Sequence, residues 1–172
     1  MRFSIKRAAL DAIYLCVVIL CSLLSFPLGA IPVTLQIFGI FLIILLSGVD
    51  SIIILSIYIL MGSLGLPVFA GGFSGISAPT YGFLIGFLLS AIVIFIYTKI
   101  FKNKEGIVNL VIKASIFLFV TYLIGLPYCM IALDMNFVSV IIYFLPFIGI
   151  DIVKLVIVIL IYKRIKNVIY FE

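Results

Sequence analysis

The sequence predicts an all-α integral membrane protein: a single domain over residues 1–172 with six transmembrane helices and both termini cytoplasmic. Three observations predict it. Of the 172 residues 67% are hydrophobic and 10% charged, against roughly 25% charged in a soluble domain. Apolar runs near the length of about 20 residues that crosses a bilayer fill nearly the whole chain, leaving no stretch for a separate soluble domain. The basic residues collect in three clusters: Arg2, Lys6 and Arg7; Lys99, Lys102 and Lys104; Lys163, Arg164 and Lys166. Because Lys and Arg gather in cytoplasmic loops, the three clusters share one side, and each apolar arm between them must hold an even number of spans.

In the first arm, residues 8–27 form one span, ended by the Pro27-Leu28-Gly29 punctuation. Residues 35–48 and 51–64 form a hairpin about the Gly48-Val49-Asp50-Ser51 turn. Both halves are short, which implies local thinning or a wet vestibule. The Gly- and Pro-rich stretch 65–80 follows, and residues 81–97 cross back to the central basic cluster. In the second arm, residues 107 to about 133 make one span. Pro146 then cuts the remainder, because proline suits a first helical turn and disrupts an interior. Residues 137–145 become a short outer segment and residues 147–163 the last span. Reading residues 1–30 as a cleaved signal peptide would leave five spans and spoil the charge parity.

The outer loops lack charge. Residues 27–36 and 65–80 carry none, and the last outer loop has only Asp134. Such segments suit water poorly and are expected to fold down over a cavity, where irregular backbone at membrane depth is tolerated. Cys16, Cys21 and Cys129 have no metal-ligand or CxxC spacing and read as small core hydrophobes. No His is present, and no metal or cofactor is expected.

Asp151 and Lys154 stand out because an intramembrane charge costs about 2.5–3.5 kcal/mol on insertion scales and usually faces a cavity or a partner. At spacing i, i+3 they share one helical face, in the first two turns of a helix beginning after Pro146. They form either a structural salt bridge or a site for a small molecule with a carboxylate and hydrogen-bond donors. In the second case Lys154 meets the carboxylate and Asp151 accepts from N–H or O–H groups, with the positive helix N-terminus favouring anions nearby. Thr34, Gln36, Ser74, Thr80 and Tyr81 in the uncharged loops are further candidates, and Gly71 and Gly72 would admit close backbone approach. Lys113 is expected to snorkel to the cytoplasmic side. Asp11 is expected to pair with Arg7 one turn earlier.

The stretches IPVTLQ (31–36), GLPVFAGG (65–72), PTYGFLIGF (79–87) and LPFIGIDIVK (145–154) together resemble the BioY family, the biotin-binding S components of energy-coupling factor (ECF) transporters. The resemblance runs in order over essentially the whole chain and implies the six-helix S-component (ECF) fold. It implies a substrate-binding protein of the prokaryotic plasma membrane that captures biotin from outside in an occluded pocket capped by outer loops. Asp151 and Lys154 match the family's D-x-x-K, and Thr34, Gln36, Phe69, Gly71 and Tyr81 fall in segments forming the pocket and its lids. Which end of biotin the pair contacts stays open. The resemblance also implies docking to a transmembrane coupling subunit through the first helix, where Ala8 and Ala12 have the small-xxx-small spacing that permits close approach. Asp11 between those alanines, and Tyr81 where many relatives have glycine, depart from the pattern.

Nothing resembles G-x-x-x-x-G-K-[ST], so ATP-driven uptake would draw its energy from partners, in this family two ATPase subunits. Biotin as ligand and membrane lipid complete the expected partners, and no nucleic acid is expected. A thiamin or riboflavin S component is the rival within transport: thiamin lacks a carboxylate for Lys154, and riboflavin would want more aromatic stacking. An intramembrane enzyme would need several convergent acids, a His or a metal set. A purely structural subunit would leave the buried pair and uncharged loops unexplained.

Overall fold

In a computed structural model the described residues are 5–26, 32–76, 78–101 and 106–169, with side chains described through 166. They form six helices and a two-residue hairpin: α1 (Ile5–Leu23), β1 (Ser25–Phe26), β2 (Val33–Thr34), α2 (Gln36–Ser47), α3 (Asp50–Ser63), α4 (Tyr81–Phe101), α5 (Ile107–Ala132) and α6 (Phe137–Ile169). A single 3₁₀ turn, Ala70–Gly72, lies between α3 and α4. Three helices are long and apolar enough to cross a membrane: Tyr81–Phe101, Ile107–Ala132 and Phe137–Lys166. The expected turn at Pro27-Leu28-Gly29 lies outside the described residues, as do Arg2, Lys102 and Lys104 of the basic clusters.

Helix neighbours close a ring in the order α1, α2, α6, α5, α4, α3 and back to α1, with α2 also touching α3. The short hairpin α2–α3 explains the shape of one end of this ring. At 12 and 14 residues these helices reach about 18 and 21 Å, well short of a hydrocarbon core about 30 Å thick. Helix α2 is apolar all round and buries Ile37, Ile40, Phe41, Ile43 and Ile44, so it serves as an inner post. The space beyond its N-terminus is filled by the antiparallel β1–β2 pair, with Ser25 opposite Thr34, and by the folded segment 64–80.

The tightest crossing is α4 on α5. Gly82, Gly86 and Ser90 form a small stripe at i, i+4, i+8, all buried. A Cβ on Gly86 would sit 2.9 Å from the Thr121 backbone, and one on Gly82 would overlap the Tyr128 side chain. Small residues thus let the two backbones meet, the usual way helices associate where lipid supplies no hydrophobic drive.

Two sequence expectations are corrected. Helix α6 does not break at Pro146 but runs unbroken for 33 residues, as α5 does through Pro127. The ring of Pro146 removes one donor to the Ile142 carbonyl. Ending the helix there would orphan four N–H groups and four C=O groups in an apolar setting, a far larger cost. No helix N-terminus therefore points at the Asp151 region from position 147. Arg7 pairs with Asp50 at the start of α3, through both Nε and Nη2, rather than with Asp11. An exposed i, i+4 pair is worth only about 0.3–0.5 kcal/mol, whereas the buried Asp50 carboxylate is costly without a counter-charge.

Replacing Gly86 by Ala should lower the melting temperature of the purified protein, by about 1–3 kcal/mol of overpacking. Gly149→Ala, with no atom within 4 Å of its new Cβ, should leave it unchanged or raise it. Equal effects at the two positions, read by thermal unfolding in detergent, would show that the α4–α5 contact is not close-packed.

Candidate functional site

The end of the ring that carries the β1–β2 pair and the segment between α3 and α4 holds a cavity of about 60 Å³. Its polar side is one continuous hydrogen-bonded chain. The Tyr122 hydroxyl of α5 donates to Asp151 Oδ2 at 2.7 Å, and Lys154 Nζ donates to Asp151 Oδ1 at 2.8 Å. The same Lys154 nitrogen donates to the Thr34 carbonyl of β2 at 2.7 Å, which ties the β1–β2 pair to α6. Asp151 and Lys154 are 5% and 8% exposed, so the pair is desolvated and every described bond in it is charge-assisted.

Depth follows from the helix. Lys163 marks one membrane boundary, and twelve residues separate it from Asp151, which is about 18 Å of helix. In a core about 30 Å thick, Asp151 lies roughly 12 Å below the opposite boundary. Counted from Phe137 it is in the fourth to fifth turn of α6, not the first.

The remaining walls are largely aromatic. Phe83 and Phe87 of α4 lie one turn apart, as do Phe144 and Phe147 of α6, and all four line the cavity. Phe83 packs on Tyr122 edge-on at 5.4 Å and on Phe144 at 5.2 Å, so the wall is a fixed aromatic assembly. Pro32, Val33, Thr34, Gln36 and Ile37 close a third side, with Ala70 and Thr80 from the segment between α3 and α4.

Of the residues singled out from sequence, Asp151, Lys154, Thr34, Gln36 and Thr80 meet at this cavity. Phe69, Gly71 and Tyr81 do not line it. Phe69 is fully buried against Tyr58 at 5.5 Å, its ring seated in the notch left by Gly62. Tyr81 packs on Phe69 and bonds Ser63. Gly71, at φ 68°, lies where a Cβ would be 3.4 Å from Pro32, so the two outer segments touch there. These three brace the cover of the cavity from behind. Ser74 and Gly72 also lie off the cavity wall. Ala8 and Ala12 are exposed on α1, and Lys113 is half-buried on α5.

Sequence reading missed Tyr122, Tyr58 and the four phenylalanines. A signal for some of them was present: Phe144, Phe147, Asp151 and Lys154 recur at i, i+3, i+7, i+10, one face of an uninterrupted helix. The expected break at Pro146 concealed it. Tyr122 and Tyr58, single tyrosines in apolar helices, carry no such pattern.

Comparison with known proteins agrees along the entire length. The chain is 31% identical over 159 residues to the biotin transporter BioY of Thermotoga maritima, covering 90% of this chain and 92% of that protein. It is 31% identical to the probable biotin transporter BioY of Pyrococcus horikoshii, covering 94% and 97%. Among solved structures, that of the S-component for biotin from an ECF-type ABC transporter superposes with a TM-score of 0.83 over 96% of this chain and 95% of its own, at 22% identity. The six-helix ring is therefore the S-component fold. The BioY family matches residues 1–170, and with that span and these relatives the chain belongs to the BioY family.

Proposed function

We propose that this multi-pass protein of the prokaryotic plasma membrane is the biotin-binding S component of an ECF-type uptake system. It takes biotin from outside into the cavity between α2, α4, α5 and α6, and it carries no catalytic role. The observation that supports the reading most directly is the Tyr122–Asp151–Lys154–Thr34 chain beside an aromatic wall. A structural ion pair has no need of a cavity; a ligand site needs a few fixed polar groups in an apolar pocket. Asp151 already neutralises Lys154, so the pair presents a donor beside an acceptor. A cyclic urea, with its carbonyl next to two N–H groups, matches that order as well as a carboxylate matches the lysine alone. The phenylalanines suit the apolar fused rings.

In the same reading both termini are cytoplasmic and the cavity opens outward. Ala8 and Ala12, exposed on α1, form the face that meets a transmembrane coupling subunit, and two ATPase subunits supply the energy. The half-exposed Asp11 on that face is compatible with a partner carrying a basic residue.

Purified protein in detergent should bind biotin saturably, with thiamin and riboflavin failing to compete. Lys154→Ala should weaken binding at least about a hundredfold, because removing one member of a buried pair strands the other charge. Tyr122→Phe should cost about tenfold, the worth of one hydrogen bond to a charged group. Competition by riboflavin instead would turn the aromatic walls into the primary determinant and replace biotin as ligand.

Orientation has its own check, in protein whose three cysteines are replaced by alanine. A single cysteine at Asp134, in the exposed α5–α6 turn, should react with an impermeant maleimide added to intact cells. One at Lys99 should react only after permeabilisation. The reverse pattern would invert the topology.

A further inference from the structure

Tyr58, on α3, does not line the cavity and is fully buried, yet its hydroxyl is a junction of three hydrogen bonds. Ser22 Oγ lies 2.7 Å away, Gln36 Nε2 2.9 Å, and the Val68 carbonyl 3.0 Å. A tyrosine hydroxyl has one proton to give and two lone pairs to receive. Val68 offers only a carbonyl, so it can only accept. Ser22 has one hydroxyl proton and two acceptors in reach, Tyr58 and the Val18 carbonyl at 2.8 Å. Whichever it takes, the single Tyr58 proton is committed to Val68 or Ser22, so the Gln36 side-chain amide must donate to Tyr58. If the proton went to the Gln36 oxygen instead, the Val68 carbonyl would lose this donor inside a buried site, the costlier arrangement.

This proton order has a consequence for the cavity, which Gln36 lines. Because Tyr58 can only accept from it, Gln36 must turn its NH₂ group inward, which leaves its carbonyl oxygen on the opposite side of the amide. Among the described residues no donor bonds that oxygen. A glutamine amide alone has no preference between presenting oxygen or nitrogen. Here the choice is made one residue deeper, by a side chain that never meets the ligand.

We propose that Tyr58 is a positioning residue that locks the Gln36 amide with its carbonyl oxygen facing the cavity, so that Gln36 accepts a hydrogen bond from a ligand N–H. The inference rests on the biotin reading above and refines it. With Gln36 and Asp151 both presenting acceptors to one cavity, the site is built to read two N–H donors of one ligand, as a cyclic urea carries. Val68 lies in the segment that covers the cavity, so the same hydroxyl couples that cover to the orientation of the amide beneath it.

The test compares biotin with biotin methylated on one or the other ureido nitrogen, in detergent-purified protein. Wild type should bind biotin and disfavour at least one methylated analogue by tenfold or more. Gln36→Leu should bind biotin about tenfold more weakly and lose most of that discrimination. Tyr58→Phe should lose discrimination to a similar extent, and adding it to Gln36→Leu should produce little further change in the preference, since both act through one amide. Ser22→Ala, which leaves the Tyr58 proton to Val68, should discriminate as wild type does. Discrimination retained in Gln36→Leu would overturn the inference without reference to how Tyr58→Phe folds. So would a Tyr58→Phe variant weakened equally toward biotin and both analogues, the pattern of a merely structural role. Failure of wild type to bind biotin at all would instead overturn the reading on which the inference rests.

Discussion

A lysine about 16 Å below the membrane boundary opposite Lys163, close to mid-depth of a core about 30 Å thick, dictates the architecture of the cavity end of this protein. An ammonium group at that depth must be neutralised and its protons must find acceptors. Asp151 does the first, one turn away on the same helix face. The second requires other elements to come to α6: α5 turns Tyr122 inward to the free oxygen of Asp151, and β2 brings the Thr34 carbonyl to Lys154. Helix α2 begins only two residues after Thr34, so placing that carbonyl over the lysine also fixes how far up the membrane α2 can reach.

The irregular segments above the short helices face the same constraint in uncharged form. Backbone polar groups without water must be paired internally. The segment between α3 and α4 does this by folding onto its surroundings: Gly75 N–H bonds the Gly62 carbonyl, the Tyr128 hydroxyl donates to the Ile76 carbonyl, and the Cys129 thiol donates to the Pro79 carbonyl. Phe69 in the Gly62 notch anchors the middle of the segment. The absence of charge in these loops, visible in the sequence, is thus the counterpart of a cover that sits on protein rather than in water.

How much was legible in the sequence varied with the range of the interaction. Helix positions came from hydropathy and turn residues, which are local, and α2 and α3 match the expected hairpin to within a residue or two at most ends. Asp151 and Lys154 were visible because a charge in an apolar run needs no partner to be conspicuous. Arg7 was given the wrong acid because the sequence shows Asp11 four residues away, while Asp50, 43 residues distant, becomes its neighbour only once α1 lies against α3. Pro146 disfavours a helix interior when the helix stands alone, but in lipid two exposed helix ends cost more than one missing hydrogen bond. The stripe from Phe144 to Lys154 is regular only along the continuous helix that results. Tyr58 and Tyr122 act through partners on other helices, and their roles exist only in the assembled ring.

The walls of the cavity are not equally held. The α4–α5 wall is fixed by glycine-mediated backbone contact, and α2 is buried on nearly all sides. The β1–β2 pair is two residues long on each strand and meets α6 through the Lys154–Thr34 bond, while the segment between α3 and α4 is held by buried Val68, Phe69 and Ala70 as well as by hydrogen bonds. Segments with few buried contacts open at the lowest free energy, which makes the β1–β2 pair the least firmly held wall of the cavity. The Lys154 ammonium has three protons, and two are placed on Asp151 and Thr34. The third has no acceptor among the described residues, so the lysine that holds the β1–β2 pair in place keeps one donor for a further acceptor at the cavity.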